Sequence, residues 1–192
     1  MFASILRAAF AAALICALPS VSLAASDHDT CYSLNSESNN YKDPANYDRA
    51  IAACTRLINA YPYKDKKLAA LYRVRAFWKT KKPDLDSALA DHAIAIGMEP
   101  GNVESHDYRA DIYLLKGDFD RALEEYNHAT RIDATYAAAY YSRGKIYEHK
   151  GNFTQARIEY NAALAVPTIN RLAGWAQGTA RARLKLLDEQ KK

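Results

Sequence analysis

Glu104, Asp107 and Asp111 put three carboxylates on consecutive turns of one helical face, because residues three and four apart share a side of a helix. Carboxylates so placed can work as an acid–base pair or attract a cation. Acid–base work needs burial to displace a pKa. Asp107 and Asp111 are expected to lie open to water, where neither would be driven far. The five histidines (His28, His92, His106, His128 and His149) contain no pair at the spacing of a helical zinc site. No Gly-x-Ser-x-Gly elbow, phosphate loop or metalloprotease helix occurs. No catalytic residue, cofactor or metal is therefore expected, and the chain is read as one that binds.

The elements that position these acids follow from a repeat. "GDFDRALEEYNHA" at 117–129 returns thirty-four residues later as "GNFTQARIEYNAA" at 151–163. The same offset aligns Ala76, Ala110 and Gly144, then Ala88, Ala122 and Ala156, then His92, Tyr126 and Tyr160, then Ala95, Ala129 and Ala163. Within each second segment the matched residues recur at helical spacing, so each unit reads as a helical hairpin whose apolar face needs a stacked neighbour to cover it. Small residues let two backbones approach, and a ring fills the space beside them. His92 is expected to be a packed, hydrogen-bonded core residue, and His106 to pack between helices. Asn46, Asp84, Asp118 and Asn152 are expected at the starts of second helices, where a short side-chain oxygen accepts from unpaired backbone donors. Gly117 and Gly151 permit the turns between helices.

Residues 1–25 read as an export signal: Arg7, an apolar run from Ala8 to Leu18, Pro19, then small residues at Ser22 and Ala24. That run is too short to span a bilayer. Cys16 follows the bulky Ile15, which argues against a lipid anchor. After cleavage two cysteines remain, Cys31 and Cys54, in a compartment where thiols oxidise, and they read as a disulfide. They can meet if the first helix ends near Asn35 and "SESNNYKDP" forms an enlarged loop. The formal net charge is +4, with eight acidic and four basic residues in 103–136 against four and ten in 137–192. That mild asymmetry gives no reason to expect a nucleic-acid partner.

On these residues the chain resembles the tetratricopeptide repeat family. Tyr140, Gly144, Tyr147, Ala156, Tyr160 and Ala163 satisfy its pattern, as do Ala110, Tyr113, Ala122, Tyr126 and Ala129. Departures are His92 for a ring, Lys79 for the first-helix Tyr, and four extra residues at 64–67. The resemblance implies an all-α, right-handed α-solenoid over 26–188, with repeats at about 26–64, 69–102, 103–136 and 137–170 and a capping helix at about 171–188. In that cap Leu172, Ala176, Ala180, Leu184 and Leu187 are expected inward, and Arg181, Arg183 and Lys185 among the polar positions. The segment "AIAACTRLI" is similar to short exported repeat proteins of Gram-negative bacteria, which implies a periplasmic or secreted protein.

The resemblance also implies a concave groove lined by the second, fifth and ninth residues of each first helix. Here those are Ala70, Arg73 and Phe77, then Glu104, Asp107 and Asp111, then Ala138, Tyr141 and Lys145. Such a groove would serve an adaptor that takes a peptide or protein segment, with Lys, Arg or a free amine facing the acids. The same acids also suit a solvated surface, paired with Arg73 and Lys145. The set by which chaperone-binding members clamp a terminal carboxylate is missing. The alternative function is an assembly subunit of an envelope complex or homo-oligomer, using the convex face or Arg181, Arg183 and Lys185.

Overall fold

The computed structural model describes residues 26–32, 43–62 and 64–189. The expected export signal and most of the expected first-repeat loop lie outside the described residues. Among the described residues all regular structure is helical: α1 (26–32), α2 (Pro44–Ala60), α3 (Lys66–Lys81), α4 (Leu85–Met98), α5 (Val103–Leu115), α6 (Phe119–Ile132), α7 (Ala137–His149), α8 (Phe153–Ala165) and α9 (Arg171–Glu189). They fall into two compact units, Met1–Tyr63 and Lys64–Lys192.

In the first unit a disulfide joins Cys31 of α1 to Cys54 of α2, with Cα atoms 5.0 Å apart. Both cysteines are fully buried. Closing that loop contributes about 3 kcal/mol on the chain-entropy account. Arg56 adds a two-pronged clasp, Nε and Nη2 donating to the two oxygens of Asp27 at 2.8 and 2.6 Å. The start of α2 differs from the sequence expectation. Asp43, not Asn46, is its cap, accepting from the Ala45 amide at 3.0 Å. Pro44 explains the shift, because its fixed φ and missing N–H suit the first helical position.

The second unit stacks three hairpins, α3–α4, α5–α6 and α7–α8, with α4 against α5, α6 against α7, and α9 against α7 and α8. Asp65, Asn102, Asp118 and Asn152 cap their helices by accepting from backbone amides at 2.9–3.2 Å. Asp84 stands at the start of α4 without such a bond. Gly117 and Gly151 take φ of 75° and 72° after α5 and α7. That left-handed conformation lets the next amide turn back, Asp118 N to Tyr113 O and Asn152 N to Tyr147 O, both at 2.8 Å.

The aligned small residues are the core. Ala88, Ala95, Ala110, Ala122, Ala129, Ala156 and Ala163 are fully buried, as are the rings of Tyr126 and Tyr160. His92 is buried like them, but its Nδ1 has no hydrogen-bond partner, contrary to the expectation of a satisfied side chain. Phe77, which stands at the register of Asp111, offers this ring no polar partner, and the hydroxyl of Thr80, at the register of Glu148, donates to the Ala76 carbonyl at 2.9 Å.

A second periodic feature escaped the sequence reading. Each hairpin sets a half-buried arginine on its first helix against a buried carboxylate sixteen residues later on its second. Arg75 forks onto Asp91 at 2.8 and 2.7 Å. Arg109 Nη2 donates to Glu125 at 2.6 Å, and the other Glu125 oxygen meets His106 Nδ1 at 2.8 Å. Arg143 Nε reaches Glu159 at 2.9 Å. Lys79, in the slot of the family tyrosine, adds its ammonium to Asp91 at 2.8 Å. Successive hairpins are tied at the surface by Lys116–Asp86 and Lys150–Asp120, at 2.7 and 2.8 Å. The exposed ties contribute little. The buried forks matter more for register, because misplacing either partner strands a charge.

Candidate functional site

Three helices of the second unit, α5, α7 and α9, wall a cleft of about 340 Å³. From α5 come Glu104, Asp107, Tyr108, Asp111 and Leu114. Tyr136, which precedes α7, and Tyr141 and Lys145 within it form a second wall, and α9 supplies Leu172 and Trp175. The structure thus brings together Glu104, Asp107, Asp111, Tyr141 and Lys145 of the sequence-derived set. Arg73 and Phe77 lie outside this cleft. Arg73 pairs with Glu99 at 2.7 Å, and Phe77 meets the ammonium of Lys81 at 5.2 Å from its centroid.

The acids are not as open to water as expected. Asp107 is half-buried, and Tyr136 Oη donates to it at 3.0 Å. Burial pushes its carboxyl up to about 7, with the negative charge of Asp111 adding to the rise, the Tyr136 hydroxyl opposing it and Glu104 adding again. Asp111 keeps an exposed surface while Tyr126 Oη donates to one oxygen at 2.5 Å. Loss of water on its cleft side raises its pKa, and the Tyr126 hydroxyl and the Lys145 ammonium oppose that rise. Because Asp111 is partly solvated, screening weakens its contribution relative to Asp107. Each tyrosine hydroxyl is held protonated, burial first and the adjacent carboxylate next.

The cations of the neighbourhood are occupied elsewhere. Arg109 and Arg143 are in the forks, Arg73 is on Glu99, and Arg183 of α9 is bound to Glu148. Of the three basic residues named on the last helix, Arg183 is held by Glu148, and Arg181 and Lys185 are exposed. No ion pair within 4.0 Å reaches Glu104, Asp107 or Asp111 among the described residues. Lys145 lines the same cleft and lies 5.9 Å from the Tyr141 ring centroid. Three carboxylates therefore face one ammonium.

Sequence reasoning missed Leu172 and Trp175 because it treated 171–188 as a cap. The signal was present: they stand thirty-four residues after Ala138 and Tyr141, so α9 continues the first-helix register. Leu172, expected inward, is 43% exposed, whereas Ala173, Ala176, Ala180 and Leu187 face the core. The reason is geometric, since small residues let α9 approach α7 and α8 closely. Trp175 is 54% exposed and meets Tyr141 edge-on at 5.3 Å. Among the described residues no cluster of three or more His, Cys, Asp or Glu could hold a metal, and no helix is long and apolar enough to cross a membrane.

Family models described as "TPR repeat" and "Tetratricopeptide repeat" match residues 110–151 and 137–167. No curated protein matches the chain at a significant level. Among solved structures, it resembles the crystal structure of MamA at 20% identity and a TM-score of 0.58, over 76% of this chain and 88% of that one. A tetratricopeptide repeat protein from Parabacteroides merdae is similar at 18% identity and a TM-score of 0.62, over 84% of this chain and 61% of that one. The first TPR of Spaghetti (RPAP3), bound to the HSP90 peptide SRMEEVD, is similar at 21% identity and a TM-score of 0.51, over 63% of this chain and 96% of that one.

Proposed function

We propose, for a chain carrying tetratricopeptide repeats, that it is an adaptor of the periplasm whose cleft between α5, α7 and α9 binds a protein segment bearing cationic side chains. One observation carries this reading: Glu104, Asp107 and Asp111 line a cleft whose neighbouring arginines are all bound to other carboxylates. Uncompensated carboxylates in a partly dehydrated cleft are held at a cost that an incoming cation relieves. Rigid helices present them without an ordering cost at binding. A TPR domain bound to a peptide has a precedent in the Spaghetti structure. The acids here call for a ligand of opposite charge to that acidic peptide. The export-type leader and the buried Cys31–Cys54 disulfide support an oxidising compartment.

The test is binding of a lysine-containing, unstructured peptide to the mature chain, measured calorimetrically. Asp107→Lys with Asp111→Lys should weaken it at least about tenfold, since like charges placed opposite one another cost kilocalories. Glu124→Lys with Glu189→Lys changes net charge equally on exposed surface outside the cleft, and should leave affinity nearly intact. Equal losses in the two variants would show long-range attraction alone and defeat the groove reading.

A further inference from the structure

The cleft is not uniform, and its asymmetry specifies more than charge. Every thirty-four residues the fifth position of a first helix faces it: Asp107 on α5, Tyr141 on α7, Trp175 on α9. The second position runs Glu104, Ala138, Leu172. Across the helices the surface therefore changes from carboxylate through small and aromatic to large apolar. The last helix of a solenoid ordinarily shields apolar surface from water. Here α9 instead leaves Leu172 and Trp175 about half exposed along the cleft wall.

Three physical requirements select the occupant. A cation is needed on the α5 side, where three acids lack an ion-pair partner. Lys145 stands level with Asp111 in the repeat, so an incoming cation is repelled from that end and directed to Glu104 and Asp107. A large apolar group is needed on the α9 side, where Trp175 and Leu172 gain by leaving water. The volume, about 340 Å³, lies at the small end of the ~300–1,000 Å³ range of ligand clefts. It holds two side chains rather than a folded surface.

We infer that the cleft takes one extended segment in which a lysine or arginine stands about five positions from a large apolar or aromatic residue, the cation against Glu104 and Asp107 and the apolar group against Leu172 and Trp175. The separation follows from α7 lying between the two walls: with neighbouring helices ~8–10 Å apart, α5 and α9 stand ~16–20 Å apart, which a rise of ~3.3 Å per extended residue covers in about five positions. This inference rests on the groove reading above and adds the second half of the motif and its placement.

The test uses the mature full chain and four peptides in one Gly/Ser frame, acetylated and amidated so that no terminal charge takes part. They carry Lys-Gly-Gly-Gly-Gly-Phe, Gln-Gly-Gly-Gly-Gly-Phe, Lys-Gly-Gly-Gly-Gly-Gly or Gln-Gly-Gly-Gly-Gly-Gly. The first should bind at least about tenfold more tightly than the second and the third. Trp175→Ala should erase the preference for Phe while keeping that for Lys. Asp107→Asn with Asp111→Asn should do the converse. A destabilised fold would lower all affinities together, so this crossed pattern separates recognition from structure. If the Gly-terminated lysine peptide binds as tightly as the first, or if the preference for Phe survives Trp175→Ala, the inference is overturned and the groove reading stands. If neither lysine peptide binds, both fail.

Discussion

At the scale of single residues, one position in the repeat is more tightly fitted than its equivalents. Ala76 and Ala110 fill the small slot of the first two hairpins of the second unit, while the third has Gly144. A Cβ built on Gly144 would lie 2.5 Å from Tyr160 Cε1 and 2.6 Å from Cδ1. The difference lies in where each ring's hydroxyl goes. Tyr126 donates to Asp111, beside Ala110, whereas Tyr160 donates at 2.7 Å to Glu148, one turn beyond Gly144, which draws its ring across the glycine. Position 145 is a lysine and offers no carboxylate to draw the ring back. Gly144→Ala should therefore destabilise the fold, the ~1–3 kcal/mol of overpacking exceeding the ~1 kcal/mol that alanine gains within a helix. A lower denaturant midpoint is expected. An unchanged or higher midpoint would mean that the Tyr160 ring yields freely.

At the scale of elements, the forks decide how each hairpin closes. Glu159 is buried and receives Arg143, which also donates to Asn127 at 2.7 Å. Glu159→Leu leaves a half-buried guanidinium held only by Asn127 and Thr130 and should cost ~1–3 kcal/mol, whereas adding Arg143→Met should recover most of that loss. Chemical denaturation of the two single variants and the double variant gives the coupling. Additive losses would show that the fork carries no pairwise energy. Hairpin boundaries, turn glycines and the alanine core could be read from the sequence because each depends on local spacing. The forks were legible in principle, since Arg75, Arg109 and Arg143 and their acids keep the same period. They were passed over because charged residues are ordinarily assigned to the surface. The aromatic half of the cleft was lost for a different reason. Its residues sit on α9, where a weak family pattern disguised a helix that continues the groove register. The setting of Asp107 includes a hydroxyl donated by Tyr136 from twenty-nine residues away, which no local pattern encodes.

Across the whole molecule, a buried histidine and a half-buried aspartate pull stability in opposite directions over one pH range. His92 is 1% exposed, and its pKa is lowered to about 4 by burial first, then by the charge of Arg109, with Asp91 opposing, Arg73 adding to the fall and Glu125 opposing. The unfolded chain takes up that proton near pH 6.5, so the His92 contribution is lost as pH falls from about 6.5 to about 4. Asp107 behaves in the opposite sense. Folded, it holds a proton up to about pH 7, against 3.8 when free, so stability rises as pH falls through the same window. Each group contributes at most ~1.4 kcal/mol per pH unit, and the two offset one another in the native chain. The carboxylates of Glu125 and Glu148 have lowered pKa values and matter only further into acid, where their pairing is lost. His92→Phe puts a ring where the other repeats carry Tyr126 and Tyr160, and it leaves only the exposed His128, whose pKa burial and then Arg131 lower, to oppose Asp107. Its midpoint should climb as pH is lowered from 7 to 5. Asp107→Asn removes the main group opposing His92 and leaves only the partly solvated Asp111 against it, so its midpoint should drop over that interval. The two profiles must therefore have slopes of opposite sign, with the native chain between them. Parallel profiles would show that neither group titrates as its surroundings require, and would remove the dehydrated carboxylate on which cation capture in the cleft depends.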